Sequence, residues 1–208
     1  MIEPAQHLPR VFQNNLHRLF ERVVMPSMVG LRELQNWDMG TPDTLAAGLD
    51  RAEAQVNSYT RNEAAKAFIL VLSALFERQL RQWAFHLFIQ PRKPDVQTQP
   101  LSALLGDCMR EIGMDANSQA IRDVLVEGHR VANIVRHGDG KASAELKRAA
   151  ARLWEQDPTA YVDINPGPSP DSALLVISDE YLKDYARAGL RFWGRADRKP
   201  GATEYPPF

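Results

Sequence analysis

The segment from about Arg61 to Phe88 constrains the fold more than any other part of this chain. Apolar residues recur at Phe68, Leu72, Leu75, Leu80, Trp83 and Leu87, the three-to-four spacing of one long helix. Glu77, Arg78, Arg81 and Gln82 stand between them. The middle of the segment is apolar nearly all round, so the helix needs cover on several sides and belongs at the centre of a bundle. Gln90-Pro91-Arg92-Lys93-Pro94 ends it, and the polar stretch to Pro100 reads as a loop.

The rest of the chain supplies candidates for that cover. Phe12, Leu16, Leu19, Phe20 and Val23 mark a helix from Val11 to about Trp37, with Pro26 expected to kink or divide it. Thr41-Pro42-Asp43 reads as a cap and first turn, leading a helix through Leu45, Leu49 and Val56. Leu101 to Ile112 forms a shorter helix closed by Gly113. Ser118 is expected to cap the next, with Ile121 and Leu125 buried together with Val131 or Ile134, and another helix spans about Ser143 to Glu155. Asn165-Pro166-Gly167-Pro168-Ser169-Pro170 cannot be helical and reads as a surface loop. Leu174-Leu175-Val176-Ile177 is β-like, either an edge strand or an extended packing segment. Ser178-Asp179-Glu180-Tyr181 opens a last helix through Tyr185 and Leu190 to Trp193, its aromatics closing the bundle, and the tail from Arg198 is expected to be mobile.

The expected fold class is therefore all-α: an up-and-down helical bundle with a short C-terminal strand-like segment plus helix. Its 208 residues fit one domain, with residues 1–60 packing on a core of 61–155 and residues 156–208 completing it. A formal net charge of −1 excludes a general nucleic-acid coat protein, so any nucleic-acid site must be a local patch. Cys108 is the one cysteine, which rules out an internal disulfide and fits a reducing compartment. The longest apolar run, Ala67 to Phe76, is interrupted by Ser73 and is far short of the ~18–20 residues a membrane span needs. Met1-Ile2-Glu3-Pro4 lacks the basic start of a signal peptide. The expectation is a soluble cytoplasmic protein without a membrane partner.

The chemistry concentrates in Gly128-His129-Arg130-Val131-Ala132-Asn133-Ile134-Val135-Arg136-His137-Gly138-Asp139-Gly140. At about 100° per residue, Arg130, Asn133 and His137 lie within about 60° of one another on a helix. Cleaving RNA without a metal needs a base near neutral pKa and a cation for the developing phosphate charge. His137 and Arg130 suit those roles, and Asn133 can orient either. Arg130 and His137 are roughly 10 Å apart along the axis, so they converge on one phosphate only through long side chains or a second copy. The same residues equally suit a helix end with a polar face, its histidine favoured by the macrodipole and its glycines acting as caps.

From Gly128 to Arg152 six cations face two carboxylates, a local +4 that suits a polyanion or simply a solvated face. Arg136 and Lys141 belong to this run, and Arg78 and Arg81 of the central helix are further candidate phosphate contacts, although Glu77 and Arg81 also have the spacing of a structural ion pair. Asp139 is placed to orient His137. Gly138-Asp139-Gly140-Lys141-Ala142 is not a phosphate loop, because Val135 and Ala142 occupy positions that need Gly and Ser/Thr. The histidines lack metal-ligand spacing, so neither metal nor cofactor is expected.

This helix resembles the motif helix of the HEPN superfamily, whose ribonucleases commonly carry Arg-Asn-x-x-x-His. Asn133-Ile134-Val135-Arg136-His137 matches the Asn-x-x-x-His part, while Ala132 stands where the arginine would be and Arg130 is the nearest substitute. The helix with Phe76-Glu77-Arg78-Gln79-Leu80-Arg81 is similar to the family's first long helix, and the resemblance covers about Asn62 to Arg152. It implies a helical bundle, a homodimer pairing two motif helices across a composite cleft, and RNA cleavage in bacterial toxin–antitoxin or phage-defence systems, with a cognate protein partner in some. It also implies that members lacking the catalytic pair only bind. The alternative expectation is a non-catalytic interaction module, an antitoxin or adaptor, which the Ala132 departure and the near-neutral charge favour.

Overall fold

The computed structural model describes residues 4–31, 43–88, 95–114, 118–155 and 169–204. It is all-α. Helices α1 (Pro4–Leu19), α2 (Met25–Gly30), α3 (Leu45–Leu87), α4 (Asp95–Thr98), α5 (Leu101–Glu111), α6 (Gln119–His137), α7 (Lys141–Ala149) and α8 (Asp179–Ala196) follow in chain order. Contacts between them define a ring of four antiparallel neighbours. Trp83 of α3 donates to Ala5 O at the start of α1, and Arg61 reaches Leu31 O just past α2. Arg10 and Gln13 of α1 pair with Asp197 and Leu190 O at the far end of α8. Along α6 and α8, Ser118 meets Arg195 while Gly128 meets Tyr185. The expected up-and-down bundle is this α1–α3–α6–α8 ring, with α3 and α8 across its diagonal.

The core follows from that diagonal. Phe76 and Trp83 of α3 stack edge-on against Phe192 of α8, at centroid distances of 5.4 and 6.0 Å. Trp193 completes the cluster and carries Phe12 of α1 at 5.1 Å. Such pairs add about 0.5–1.5 kcal/mol each beyond simple burial. Two glycines of the ring let helices approach closely. A Cβ on Gly189 would lie 2.6 Å from Leu16, and one on Gly128 2.2 Å from the Tyr185 ring.

Several local details differ from the sequence reading. Residues 45–87 form one helix where a break was expected near Asn57 to Thr60. No Gly or Pro interrupts that stretch, and Ser58 is buried within it, so packing outweighs the modest cost of polar residues in a helix interior. Its N-cap is Thr44, whose side chain accepts from Ala47 N, whereas Thr41 and Pro42 lie outside the described residues. Pro26 is accommodated by a π-type turn over Phe20–Val24 immediately before α2, which divides the first helix as expected. The helix expected to Glu155 ends at Ala149 and continues as a 3₁₀ turn, Ala151–Trp154. Residues 198–204 are strapped to α1 rather than loose: Arg10 donates to Pro200 O, and Gln13 to Thr203 O.

The β-like run Leu174–Ile177 is not a strand: Leu174 ends a turn and Leu175–Ile177 is an irregular packing segment, and residues 165–168 of the preceding loop lie outside the described residues. Its backbone polarity is satisfied by a side chain. The buried amide of Asn62 donates to Leu175 O (2.9 Å) and accepts from Ile177 N (3.0 Å), as a neighbouring strand would. Val176 N reaches Leu153 O, and the buried Lys66 donates to Ala173 O. Replacing Asn62 by Ala leaves two buried backbone groups unpaired, each costing about 1–3 kcal/mol. Asn62→Ala is therefore expected to lower unfolding stability by about 2–4 kcal/mol in denaturant titration, with amide exchange of Leu175 to Ile177 accelerated first. A loss under about 0.5 kcal/mol, typical of surface changes, would show that the segment is held by packing alone.

Candidate functional site

Helix α6 carries the candidate site because its two sides face different surroundings. Ile121, Leu125, Gly128, Val131, Ala132 and Ile134 are buried against the bundle, while Arg130, Arg136 and His137 are exposed. Ala132 is 6% exposed, so a guanidinium at that position would not stand on the open side of the helix. Arg130 is on the open side with His137. Neither Arg130 nor His137 makes a hydrogen bond or ion pair among the described residues. Gly138 ends the helix at φ 77°, the left-handed conformation that favours glycine, and its N–H caps Ile134 O. Ser118 begins the helix, but its side chain does not cap it and instead meets Arg195.

Asn133 faces a partner that the sequence reading passed over. Its Nδ2 lies 3.1 Å from His129 Nε2, one helical turn back. The other ring nitrogen of His129, Nδ1, is 3.6 Å from Glu77 Oε2 and 3.5 Å from Ser73 Oγ of α3. The Tyr185 hydroxyl of α8 is buried beside Ser73 without a hydrogen bond of ordinary geometry. Burial pushes the Tyr185 phenol up and depresses His129 below the usual imidazole value. Glu77 opposes the depression of His129, while Arg81 and then Arg136 add to it. Spacing of four between His129 and Asn133 was readable in the sequence, but their pairing with Glu77 across α3 and α6 was not.

The other candidate cations separate by function. Arg81 is fully engaged in structure. It donates twice to Glu77 Oε1, at 3.0 and 2.7 Å, and to the carbonyls of Val96, Gln97 and Gln99, so it clamps the start of the α4–α5 region to α3. The Glu77–Arg81 ion pair is thus present, and Arg81 has little capacity left for a ligand. Arg78 is exposed on α3, and Lys141 is exposed at the start of α7, 3.9 Å from Glu145. Lys147 pairs with Asp171, and Arg152 with Glu127. Of the basic run, Arg130 and Arg136 are exposed on α6 without an ion pair among the described residues, and Lys141 and Arg148 are exposed on α7. Cys108 is buried, its thiol pushed up to about 12 by desolvation first and then by Asp107 and Glu111, which suits an inert core residue.

Among the described residues no group of His, Cys, Asp and Glu could hold a metal ion, and no helix is long and apolar enough to cross a membrane. Comparison with protein-family models, curated proteins and solved structures finds no match. The site is accordingly read from its own residues.

Asp139 has a different task from the one expected. It accepts from Asp171 N (2.9 Å) and Ser172 N (2.7 Å), tying the end of α6 to the segment that Asn62 and Lys66 also hold. These bonds, those from Ser172 foremost, hold its carboxyl below the usual range. A depressed carboxyl stabilises the fold above its ordinary pKa, and that contribution disappears as pH falls through the lowered value. The Asp171 and Ser172 amide signals should therefore shift together in an acid NMR titration, with a midpoint below the ordinary aspartate value of about 3.9. A midpoint at or above that value would mean the bonds do not persist in solution.

Proposed function

We propose that the chain binds RNA and acts on it as a HEPN-like ribonuclease, through the exposed side of α6. Arg130 and Arg136 would hold phosphate oxygens, with Lys141 and Arg78 as outlying contacts. His137 would move the proton of the attacking 2′-hydroxyl, and Asn133 would orient the reacting groups. The observation that carries this reading is that Arg130 and His137 sit exposed on one helical sector with no internal partner, within the most basic stretch of a near-neutral chain. Unpaired cations and an imidazole on one exposed helix face are what phosphodiester binding and cleavage call for. Because Arg130 and His137 are two turns apart, two copies pairing their α6 ends would present a more complete site than one, so a homodimer belongs to the proposal. The wider setting is bacterial defence or a toxin–antitoxin pair with a cognate protein.

A second reading, a binding-only or regulatory module, is favoured by one feature. Asn133 is committed to His129, and nothing among the described residues orients His137. Induced expression of wild type, His137→Ala and Arg130→Ala, followed by total-RNA electrophoresis, separates the two. Cleavage by wild type that His137→Ala slows by about 10²-fold or more supports the ribonuclease. Intact RNA together with salt-sensitive binding of a single-stranded oligonucleotide, weakened by Arg130→Ala and Arg136→Ala, supports the binding module. Neither cleavage nor binding by purified protein would overturn both.

A further inference from the structure

We propose that Glu77 and His129 are positioning residues that set which end of the Asn133 amide faces the exposed row of α6. When His129 gains a proton the amide turns over, and the row changes from offering an acceptor to offering a donor. The functional consequence rests on the RNA reading above, whereas the rearrangement itself does not.

Three helices build the device. Glu77 of α3 gives Oε1 to Arg81, at 3.0 and 2.7 Å, which fixes the carboxylate and leaves Oε2 facing His129 Nδ1 at 3.6 Å. Ser73, one turn earlier on α3, is 3.5 Å from the same nitrogen. Tyr185 of α8 lies behind Ser73, held there because Gly128, the residue before His129, has no Cβ to collide with its ring. The imidazole is thus confined, its side chain 23% exposed.

The Asn133 amide sets the proton positions. Its Nδ2 faces Nε2 at 3.1 Å, and an NH₂ group only donates, so Nε2 is the bare acceptor. The hydrogen is then on Nδ1, on the side of Glu77 and Ser73. A carboxamide has two unlike ends. With its NH₂ turned to His129, Oδ1 points away, toward the sector that holds Arg130 and His137. If Nε2 takes up a proton, two donors confront each other. The low-cost response is a half-turn about the last torsion of Asn133, which is broad and twofold, bringing Oδ1 to the ring and NH₂ outward. The row then presents a donor in place of an acceptor, above a newly charged ring. Both changes favour a phosphate.

The charged and titratable groups around His129 set where this happens. Glu77 and Arg81 face it from α3, Arg136 from its own helix, and Tyr185 lies behind Ser73 on α8. Burial is the largest influence and disfavours the charged ring, Glu77 favours it, and the two arginines disfavour it. The turnover is therefore expected on acidification, below the ordinary histidine range.

The test uses the full chain. Long-range ¹H–¹⁵N correlation of the imidazoles at pH 8 should show His129 as the Nδ1–H tautomer. On titration to pH 4.5, the Asn133 side-chain amide should shift with the midpoint of His129. An Nε2–H tautomer at pH 8, or an Asn133 amide that ignores the His129 titration, overturns the proposal whether or not RNA is bound. The second arm measures binding of a labelled single-stranded RNA oligonucleotide over the same pH range at constant salt. Wild type should gain about threefold to tenfold more affinity on acidification than His129→Gln, the size of one added charge-assisted contact. Glutamine can still accept from Asn133 but cannot take up the proton. Should His129→Gln fail to fold by thermal melt, His129→Asn, which likewise cannot take up the proton, serves in its place. Equal pH profiles for wild type and variant overturn the functional role. No binding by either at any pH counts against the RNA reading alone, and the NMR arm then decides the rearrangement.

Discussion

The aromatic contact across the diagonal of the bundle, Phe76 and Trp83 of α3 against Phe192 and Trp193 of α8, is the constraint on which the rest depends. Large rings meeting edge-on hold the two parallel helices at a fixed separation, and α1 and α6 then have to close the gaps on either side. Small residues make that closure possible. Gly189 admits Leu16 of α1, and Gly128 admits Tyr185 to the backbone of α6. A methyl group at either would push a helix outward, because close-packed interiors absorb added atoms only by strain or displacement. Burial of Tyr185 is coupled to Gly128, and the residue after Gly128 is His129. The polar cluster between α3 and α6 is thus a consequence of how the apolar core is assembled.

A second set of interactions organises the end of the bundle where α6 stops. Asn62 and Lys66 of α3, and Asp139 just past α6, all bind the backbone of residues 171–177. An extended segment without a sheet partner would leave its N–H and C=O groups unpaired, and burying them would be prohibitive. Side chains take the place of the missing strand. The same arrangement places Gly138 and Asp139 in a defined turn, so His137 emerges from a helix end whose direction is fixed although its own side chain is exposed.

What could be read from the sequence divides along a physical line. Helix period is a property of one segment, so α3, α5, α6 and α8 were legible from apolar spacing, and Ser178 from its place before an acidic first turn. Pro26 was legible because it removes a donor wherever it stands. Features that depend on a second segment were not. Continuity of α3 through Asn57 to Thr60 depends on what covers Ser58. Whether Leu174–Ile177 pairs as a strand depends on Asn62, more than one hundred residues earlier. At the candidate site, Arg130, Asn133 and His137 could be placed on one sector from their numbering, yet the number alone does not say that Ala132 is buried. Nor does it say that Arg81 is consumed by the carbonyls of residues 96–99. His129 is the sharpest case. On its own helix it resembles any polar neighbour, and only the antiparallel register of α3 brings Glu77 and Ser73 to it.

That register also bears on why two histidines eight residues apart differ so much in surroundings. His137 stands beyond the packed part of α6, in solvent and beside cations, where it is free to contact a ligand but is not held. His129 is half-buried, its ring nitrogens facing Asn133 on one side and Ser73 and Glu77 on the other. Precise positioning and access to substrate are competing demands, since a side chain locked by packing has surrendered the open space a ligand needs. The two demands are met at different positions of one helix, with the Asn133 amide between: His129 is the positioned ring and His137 the accessible one. A helix period of 3.6 allows this because steps of four residues drift by only about 40°, so His129, Asn133 and His137 form a continuous line from core to solvent.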